Sequence, residues 1–258
     1  MRLKLKIILW TVLLLFSACD KEDDLNPKCA PYQAPAQLDV YTYPLVPGMP
    51  EWAELKTGSE KYAVTQLPDS VLQIISTEGL IESCLNYPLL GNMLAYTSLQ
   101  RGVKAIMLRF NGFQELTQRS DASSALLARY SNMNPACNDG LESELEIGGY
   151  SISYALYEAI ISQETFLSKL SEEEKSRLLQ LALNYYTEKK KYPGIFSVFN
   201  LKCSAIIMAR LMLLEEHKPF LEGMQQDDYL RFFIEHIELQ GRFETIEIVV
   251  DYANSFNL

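Results

Sequence analysis

The sequence has few of the residues on which most catalytic and metal sites depend. Its 258 residues include two histidines and five cysteines. His217 stands before Lys218 and Pro219, where an imidazole can bond the last carbonyls of a helix, and His236 has no second histidine four residues away. No glycine-rich phosphate loop with its lysine and no glycine-flanked serine nucleophile occurs. The residues therefore predict no catalytic side chain, no metal site and no cofactor.

Positive charge is also scarce. The chain has 23 basic residues against 33 acidic ones, a formal net charge of -10. Three of the basic residues, Arg2, Lys4 and Lys6, precede the first apolar run, and no basic stripe follows them. Because an acidic surface repels phosphate backbones, we do not expect a nucleic acid among the partners.

The first apolar run is short. Residues 7–16 are ten apolar or small residues, whereas a helix that crosses a bilayer needs roughly 20. Ser17 and Ala18 follow, and then Cys19. The stretch 16–19 resembles the lipobox of bacterial lipoproteins, although Phe16 stands where leucine is commoner. The resemblance implies that residues 1–18 are a cleaved signal segment and that Cys19 carries a lipid; the alternative is an ordinary secretory signal.

An acidic cluster follows the cysteine directly. Its members are Asp20, Lys21, Glu22, Asp23 and Asp24. The cluster resembles the export signal that sends some Gram-negative lipoproteins to the outer face of the outer membrane. It predicts a lipid-anchored protein at the cell surface, and the alternative is a solvated spacer on a protein at the periplasmic face.

Residues 19–50 are rich in proline and lack apolar periodicity. Six prolines lie between positions 27 and 50. Because proline removes a backbone donor and favours extended chain, we predict a semi-stiff tether between the lipid and a domain at 51–258. Four cysteines follow Cys19, so disulfides are permitted in an oxidising compartment. Cys84 and Cys203 lie in apolar helical patterns that favour buried free thiols, and the three possible pairings of Cys29, Cys84, Cys137 and Cys203 stay open.

From residue 51 the pattern is helical. Ser171 with Glu174 forms a capping box before an apolar helical stripe, and residues 195–214 are apolar nearly all round, which predicts a central helix. Residues 134–149 carry Pro135, Asn138 to Gly140 and Gly148–Gly149, so they predict the main break. We predict an all-α fold of stacked helical hairpins or an irregular bundle, with two small helical subdomains as the alternative. The hairpin pattern resembles HEAT and armadillo repeats only vaguely, because no period repeats residue by residue.

Fifteen tyrosines suggest where a partner could bind. Aromatic platforms stack on sugars and bury against peptides, and Tyr185, Tyr186 and Tyr192 are the candidates in the second half. The first hypothesis is a lipid-anchored module that binds a protein or glycan partner. The alternatives are a structural subunit of an envelope assembly and a hydrolase that acts on glycan or peptide with two carboxylates.

Overall fold

A computed structural model describes residues 29–256, and every regular element in that range is a helix. The predicted all-α fold is therefore confirmed. The predicted signal segment, Cys19 and the acidic cluster at 20–24 lie outside the described residues. In chain order the helices are α1 (Pro50–Glu54), α2 (Gly58–Val64), α3 (Asp69–Leu72), α4 (Thr77–Leu85), a 3₁₀ helix (Leu90–Ala95), α5 (Leu99–Arg109), α6 (Asn111–Gln118), α7 (Ala122–Ser131), α8 (Glu144–Ile161), α9 (Glu164–Leu167), α10 (Glu172–Lys189), α11 (Val198–Leu214), α12 (Lys218–Gln226), α13 (Asp228–His236) and α14 (Glu244–Asn254).

Helix α11 is the centre of the bundle. It packs against α8, α10 and α14, and also contacts α9, α12 and α13. Every residue from Lys202 to Ala209 is buried, so the helix has no face turned to solvent over two turns. This confirms the central position that its all-round apolar pattern predicts. None of the helices within residues 29–256 has both the length and the apolar character needed to span a bilayer.

Helix α10 forms as its local signals predict. The Ser171 hydroxyl accepts a hydrogen bond from the Glu174 backbone N–H, and the Glu174 carboxylate accepts one from the Ser171 N–H. This reciprocal pair satisfies two backbone donors that have no partner within the helix. The helix then buries Leu178, Ala182 and Tyr185, which lie on one face at helical spacing.

The predicted break at 134–149 is shorter than its glycines suggest. A capping box between Ser143 and Glu146 starts α8, which runs through Gly148 and Gly149 without interruption. Tertiary packing of the later turns of α8 against α11 and α5 outweighs the low helix propensity of two glycines. Helices from both sides of the break share one hydrophobic core, so the break is a loop over a continuous bundle.

Residues 29–49 pack on the bundle as an N-terminal arm, and they do not form the free spacer that their prolines predict. Cys29 is joined to Cys137 by a disulfide, and Cys84 and Cys203 are buried free thiols. The Tyr43 ring is only 7% exposed, and its hydroxyl donates to the Ser83 carbonyl at 3.0 Å. The arm has turns at residues 36–38 and 47–49 and no helix or strand before residue 50, and its aromatic side chains bury apolar area that a solvated tether would expose.

Candidate functional site

A cleft of about 570 Å³ with a partly buried arginine in its lining lies among four helices of the bundle. Its walls are the first turns of α5, the start of α9, the last turns of α11 and the end of α13. The volume lies within the range of small-molecule and peptide-end sites. Arg210, Gln100 and Gln163 are among its lining residues.

Four neutral acceptors hold the Arg210 guanidinium in place. Its Nη2 donates to Gln100 Oε1 at 2.6 Å and to the Ile234 carbonyl at 3.1 Å. Its Nη1 donates to the carbonyl and the hydroxyl of Ser162 at 3.2 and 3.3 Å. These bonds join α5, the end of α8 and α13 to α11, so the bundle itself orients the cation.

No carboxylate within residues 29–256 forms an ion pair with Arg210. Burial lowers the pKa of the guanidinium to about 10, and the more distant Glu164 opposes that shift. The group still carries its charge at neutral pH. It is therefore a partly desolvated cation whose charge nothing in contact neutralises.

The two glutamines beside Arg210 are fixed to each other. Gln100 Nε2 donates to Gln163 Oε1 at 2.8 Å, and Gln163 Nε2 donates to the Ala159 carbonyl at 2.7 Å. Both side chains are buried. This pair sets the spacing between α5 and the α8–α9 corner, and with it the width of the cleft.

The rest of the lining is apolar inside and charged at the mouth. Leu167 and Ile234 are buried wall residues, and Leu213 is 37% exposed at the edge. Lys104 is an exposed lysine at the mouth with no ion pair among the described residues. The carboxylates of Glu164, Glu216 and Glu235 complete the rim. Such a lining suits a ligand with one anionic group, an apolar body and hydrogen-bond donors.

A second charged cluster is closed to solvent. Lys189 Nζ lies 2.6 Å from both carboxylate oxygens of Glu158 and donates to Ser204 Oγ at 3.0 Å. The Tyr130 hydroxyl donates to Glu158 at 2.7 Å. Glu158 and Lys189 are both 0% exposed, and no described cavity reaches them. The cluster therefore stabilises the packing of α8 on α10 and α11 and has no access to a ligand.

In a third cluster, the charge of Arg129 is neutralised by the carboxylate of Glu82. Arg129 Nε and Nη2 donate to the two Glu82 oxygens at 2.6 and 3.2 Å. The same guanidinium lies 4.8 Å from the ring centroids of Tyr32 and Tyr157. The adjoining pocket measures about 180 Å³, too small for most ligands. Arg129 links the N-terminal arm to α4 and α7.

The tyrosines proposed from the sequence as a binding platform are not exposed as one. Tyr185 and Tyr186 are 7% and 3% exposed, and their hydroxyls donate to the Tyr130 carbonyl at 3.0 Å and to Glu247 at 2.6 Å. The Tyr192 hydroxyl is buried and has no hydrogen-bond partner among residues 29–256. Helix α10 turns positions 182, 185, 186 and 189 toward the core, so Tyr185 and Tyr186 pack inside the bundle, and helical spacing alone does not show which neighbours cover them.

The histidines take structural positions. His217 precedes α12, and its backbone N–H donates to the Met212 carbonyl near the end of α11 at 2.9 Å. Its imidazole Nε2 makes no hydrogen bond within residues 29–256. Its ring packs 4.6 Å from that of Phe256. His236 is half-buried, with its ring 4.2 Å from that of Phe232. Among residues 29–256 no three His, Cys, Asp or Glu side chains are grouped so that they could hold a metal ion.

Sequence reasoning missed Arg210 as a site residue. It appears in the sequence as a polar interruption of the apolar run 195–214. A lone arginine in a helix without a polar face is a usable signal, since a buried cation must find acceptors or a ligand. Gln100, Gln163 and Ile234 carry no local signal, because they meet only through the fold.

The comparisons with known proteins assign the chain to no family. No family model, no curated protein sequence and no solved structure matches it significantly.

Proposed function

We propose that the protein is a lipid-anchored component of the bacterial cell envelope that binds a macromolecular partner through the cleft around Arg210. The observation that carries the binding role is the cleft, with its preoriented cation and its apolar walls. The lipobox-like stretch at 16–19 supports the anchor, and the acidic cluster at 20–24 supports a position on the outer membrane at the cell surface.

The cysteines favour an exported protein. A disulfide such as Cys29–Cys137 persists in the periplasm or outside the cell and is rare in a reducing cytosol. The two remaining described cysteines, Cys84 and Cys203, are buried, and burial raises the pKa of both thiols. They are therefore protected from forming unwanted disulfides in an oxidising compartment.

The anchor is tested by metabolic labelling with a radioactive or clickable fatty acid in a Gram-negative host. The native chain is expected to incorporate the label, and Cys19→Ala is expected to lose it. Cys84→Ala serves as the matched control, because it removes a cysteine that the proposal does not lipidate. Labelling that survives Cys19→Ala would contradict the anchor.

The surface position is tested by protease treatment of intact cells, with permeabilised cells as the accessibility control. Cleavage on intact cells is the expected result. Replacing the acidic residues at 20–24 with alanine is expected to leave the protein lipidated but protected. Cleavage of the native chain only after permeabilisation would place the protein at the periplasmic face instead.

The binding role is tested by photo-cross-linking in cells. A photoreactive amino acid at position 213 lies at the edge of the cleft, and one at position 108 lies on a residue that is 75% exposed and does not line it. A discrete cross-linked partner is expected from position 213 and not from position 108. Equal cross-linking from both positions would indicate a general surface contact, as in a structural subunit, and would rule out the cleft.

A further inference from the structure

The unpaired arginine of the cleft implies a specific ligand chemistry. We infer that the cleft binds the C-terminal end of a peptide, with Arg210 receiving the free carboxylate and the apolar wall receiving the last side chain. This inference rests on the proposed binding role of the cleft. It goes further by naming the ligand class and the residue that recognises it.

The first step is the difference between Arg210 and three other partly buried arginines. Arg129 pairs with Glu82, Arg119 with Glu115 and Arg242 with Asp227. Arg210 has only neutral acceptors. A cation that has lost much of its water and gained no counter-charge is stabilised when an anion binds. The fold has supplied that stabilisation to the other three arginines and not to this one.

The second step is the orientation of the guanidinium. The Nη1 and Nη2 groups are held by protein acceptors, whereas Nε–H donates to no acceptor within residues 29–256. A side chain that is already fixed loses little conformational entropy when a ligand arrives. The remaining donor, Nε–H, can give one charge-assisted hydrogen bond to a carboxylate oxygen.

The third step is the lining around the cation. Leu213, Leu214 and Ile234 provide an apolar surface beside Arg210. The carboxylates of Glu164, Glu216 and Glu235 at the rim disfavour a ligand with two negative charges, such as a phosphate, but can accept hydrogen bonds from peptide N–H groups. A single terminal carboxylate, an apolar last side chain and a short run of amides match these three features together. A fatty acid matches only the first two.

The test uses the full-length mature protein in detergent and a fluorescence anisotropy assay. The probes are an equimolar set of fluorescein-labelled tetrapeptides, Gly-Ala-Ala-X with X as Ala, Val, Leu or Phe, each prepared as the free acid and as the C-terminal amide. The acids are expected to bind at least about tenfold more tightly than the amides, as the loss of charge-assisted hydrogen bonds predicts. Equal binding of acids and amides would overturn the inference.

Three variants locate the effect. Arg210→Gln is expected to abolish the preference for acids, while Leu213→Trp is expected to weaken acids and amides alike by filling the cleft without touching the guanidinium contacts. Arg177→Gln is the matched control, since it removes one exposed positive charge outside the cleft. Circular dichroism confirms that each variant remains helical. If Arg210→Gln unfolds, protection of Leu213→Cys from alkylation by acids but not amides decides the question.

Competition separates the alternative ligands. Inorganic phosphate or a medium-chain fatty acid that displaces the peptide acids at equal concentration would overturn the assignment to a peptide end. These outcomes are independent of where the protein resides. If the protein prefers peptide acids but is not lipidated at Cys19, the anchor is refuted and the inference about the cleft stands. If it is lipidated at Cys19 but binds acids and amides equally, the anchor stands and the inference is refuted.

Discussion

At the residue scale, the buried pair Glu158–Lys189 carries a large desolvation cost within the core. Both side chains are 0% exposed, and every charged oxygen and the ammonium group have partners in Tyr130, Ser204 or each other. A buried pair of this kind offsets its desolvation cost only when its hydrogen bonds are complete. Removing one member leaves the other as an uncompensated buried charge.

We therefore predict that Glu158→Leu and Lys189→Met each lower the free energy of unfolding by about 3–5 kcal/mol in urea titrations. The double variant Glu158→Leu with Lys189→Met is expected to cost much less than the two single changes together. Lys190→Met is the control, because its partner Glu247 is 56% exposed and the pair contributes under about 1 kcal/mol. Additive single and double effects would show that the charges do not depend on each other.

A second residue-scale prediction concerns Asp39 in the N-terminal arm. The Ser76 hydroxyl and the Ser76 backbone N–H both donate to the Asp39 carboxylate, and these bonds hold its pKa below the usual 3.8. A group whose folded-state pKa is depressed contributes stability that is complete above its unfolded-state pKa. That contribution is lost as the pH falls through the lower folded-state pKa.

Asp39→Asn should therefore lose less stability than the native chain when urea titrations are compared between about pH 5 and pH 3. At neutral pH the variant should already be the less stable of the two, because an amide is a weaker acceptor for the N-terminal cap of α4. Asp251→Asn, an exposed change at the opposite end of the chain, is the control. A native-like acid response in Asp39→Asn would exclude this carboxylate as a source of the pH dependence.

At the scale of single elements, α8 forms although two consecutive glycines, which have low helix propensity, lie in its second turn. Gly148 and Gly149 are exposed in its second turn, and a Cβ at either position would meet no atom within 4 Å. Gly102 in α5 is different, since a Cβ there would overlap the Met93 carbonyl. Only the second kind of glycine is required by packing.

We predict that Gly148→Ala and Gly149→Ala each raise the free energy of unfolding by roughly 0.5–1 kcal/mol, because alanine restricts the unfolded chain and favours helix. Gly102→Ala is expected to be strongly destabilising, since the 3₁₀ helix would have to move away from α5. Thermal unfolding of the three variants gives the comparison. A loss of stability at 148 or 149 would contradict the prediction and would mean that a Cβ there meets a neighbouring group in the folded protein.

The elements also show what could be predicted from the sequence. Helices α10 and α11 were predictable, because their caps and apolar patterns agree with the environment that the fold provides. The burial of Tyr185 and Tyr186 was not, because a stripe on a helix does not reveal what covers it. The cleft was not predictable either: Gln100, Arg210 and Ile234 lie far apart in the chain, and only the packing of α5, α11 and α13 brings them together.

At the scale of the whole molecule, the N-terminal arm decides how the bundle is held at the proposed membrane anchor. The arm is fastened at Cys29 by the disulfide to Cys137 and along its length by Tyr43 and Asp39. The chain available as a tether is therefore the stretch between Cys19 and Cys29. At about 3.6 Å per residue, that stretch would reach at most about 36 Å, so the proposed anchor at Cys19 would keep the bundle near the bilayer.

The disulfide should account for much of this attachment. It closes a loop of 108 residues, and restricting such a loop in the unfolded chain is worth about 4–5 kcal/mol in the chain-entropy model. We predict that Cys29→Ser with Cys137→Ser lowers the free energy of unfolding by up to that amount in urea. Cys203→Ala removes a buried free thiol and no cross-link, so it controls for the loss of a cysteine as such.

The same variant should expose the arm to protease while the bundle remains folded. Tyr41 and Tyr43 lie within the packed arm, so chymotrypsin is expected to spare both in the native protein and to cut after Tyr41 in the double serine variant. N-terminal sequencing of the released fragment identifies the cut. If the native chain is cut at Tyr41 as fast as the variant, the arm behaves as a free tether and the bundle can move well away from the membrane. If it is spared until the disulfide is removed, the arm is fastened to the bundle, and the proposed anchor at Cys19 would then confine the cleft around Arg210 to partners within the short reach of residues 19–29.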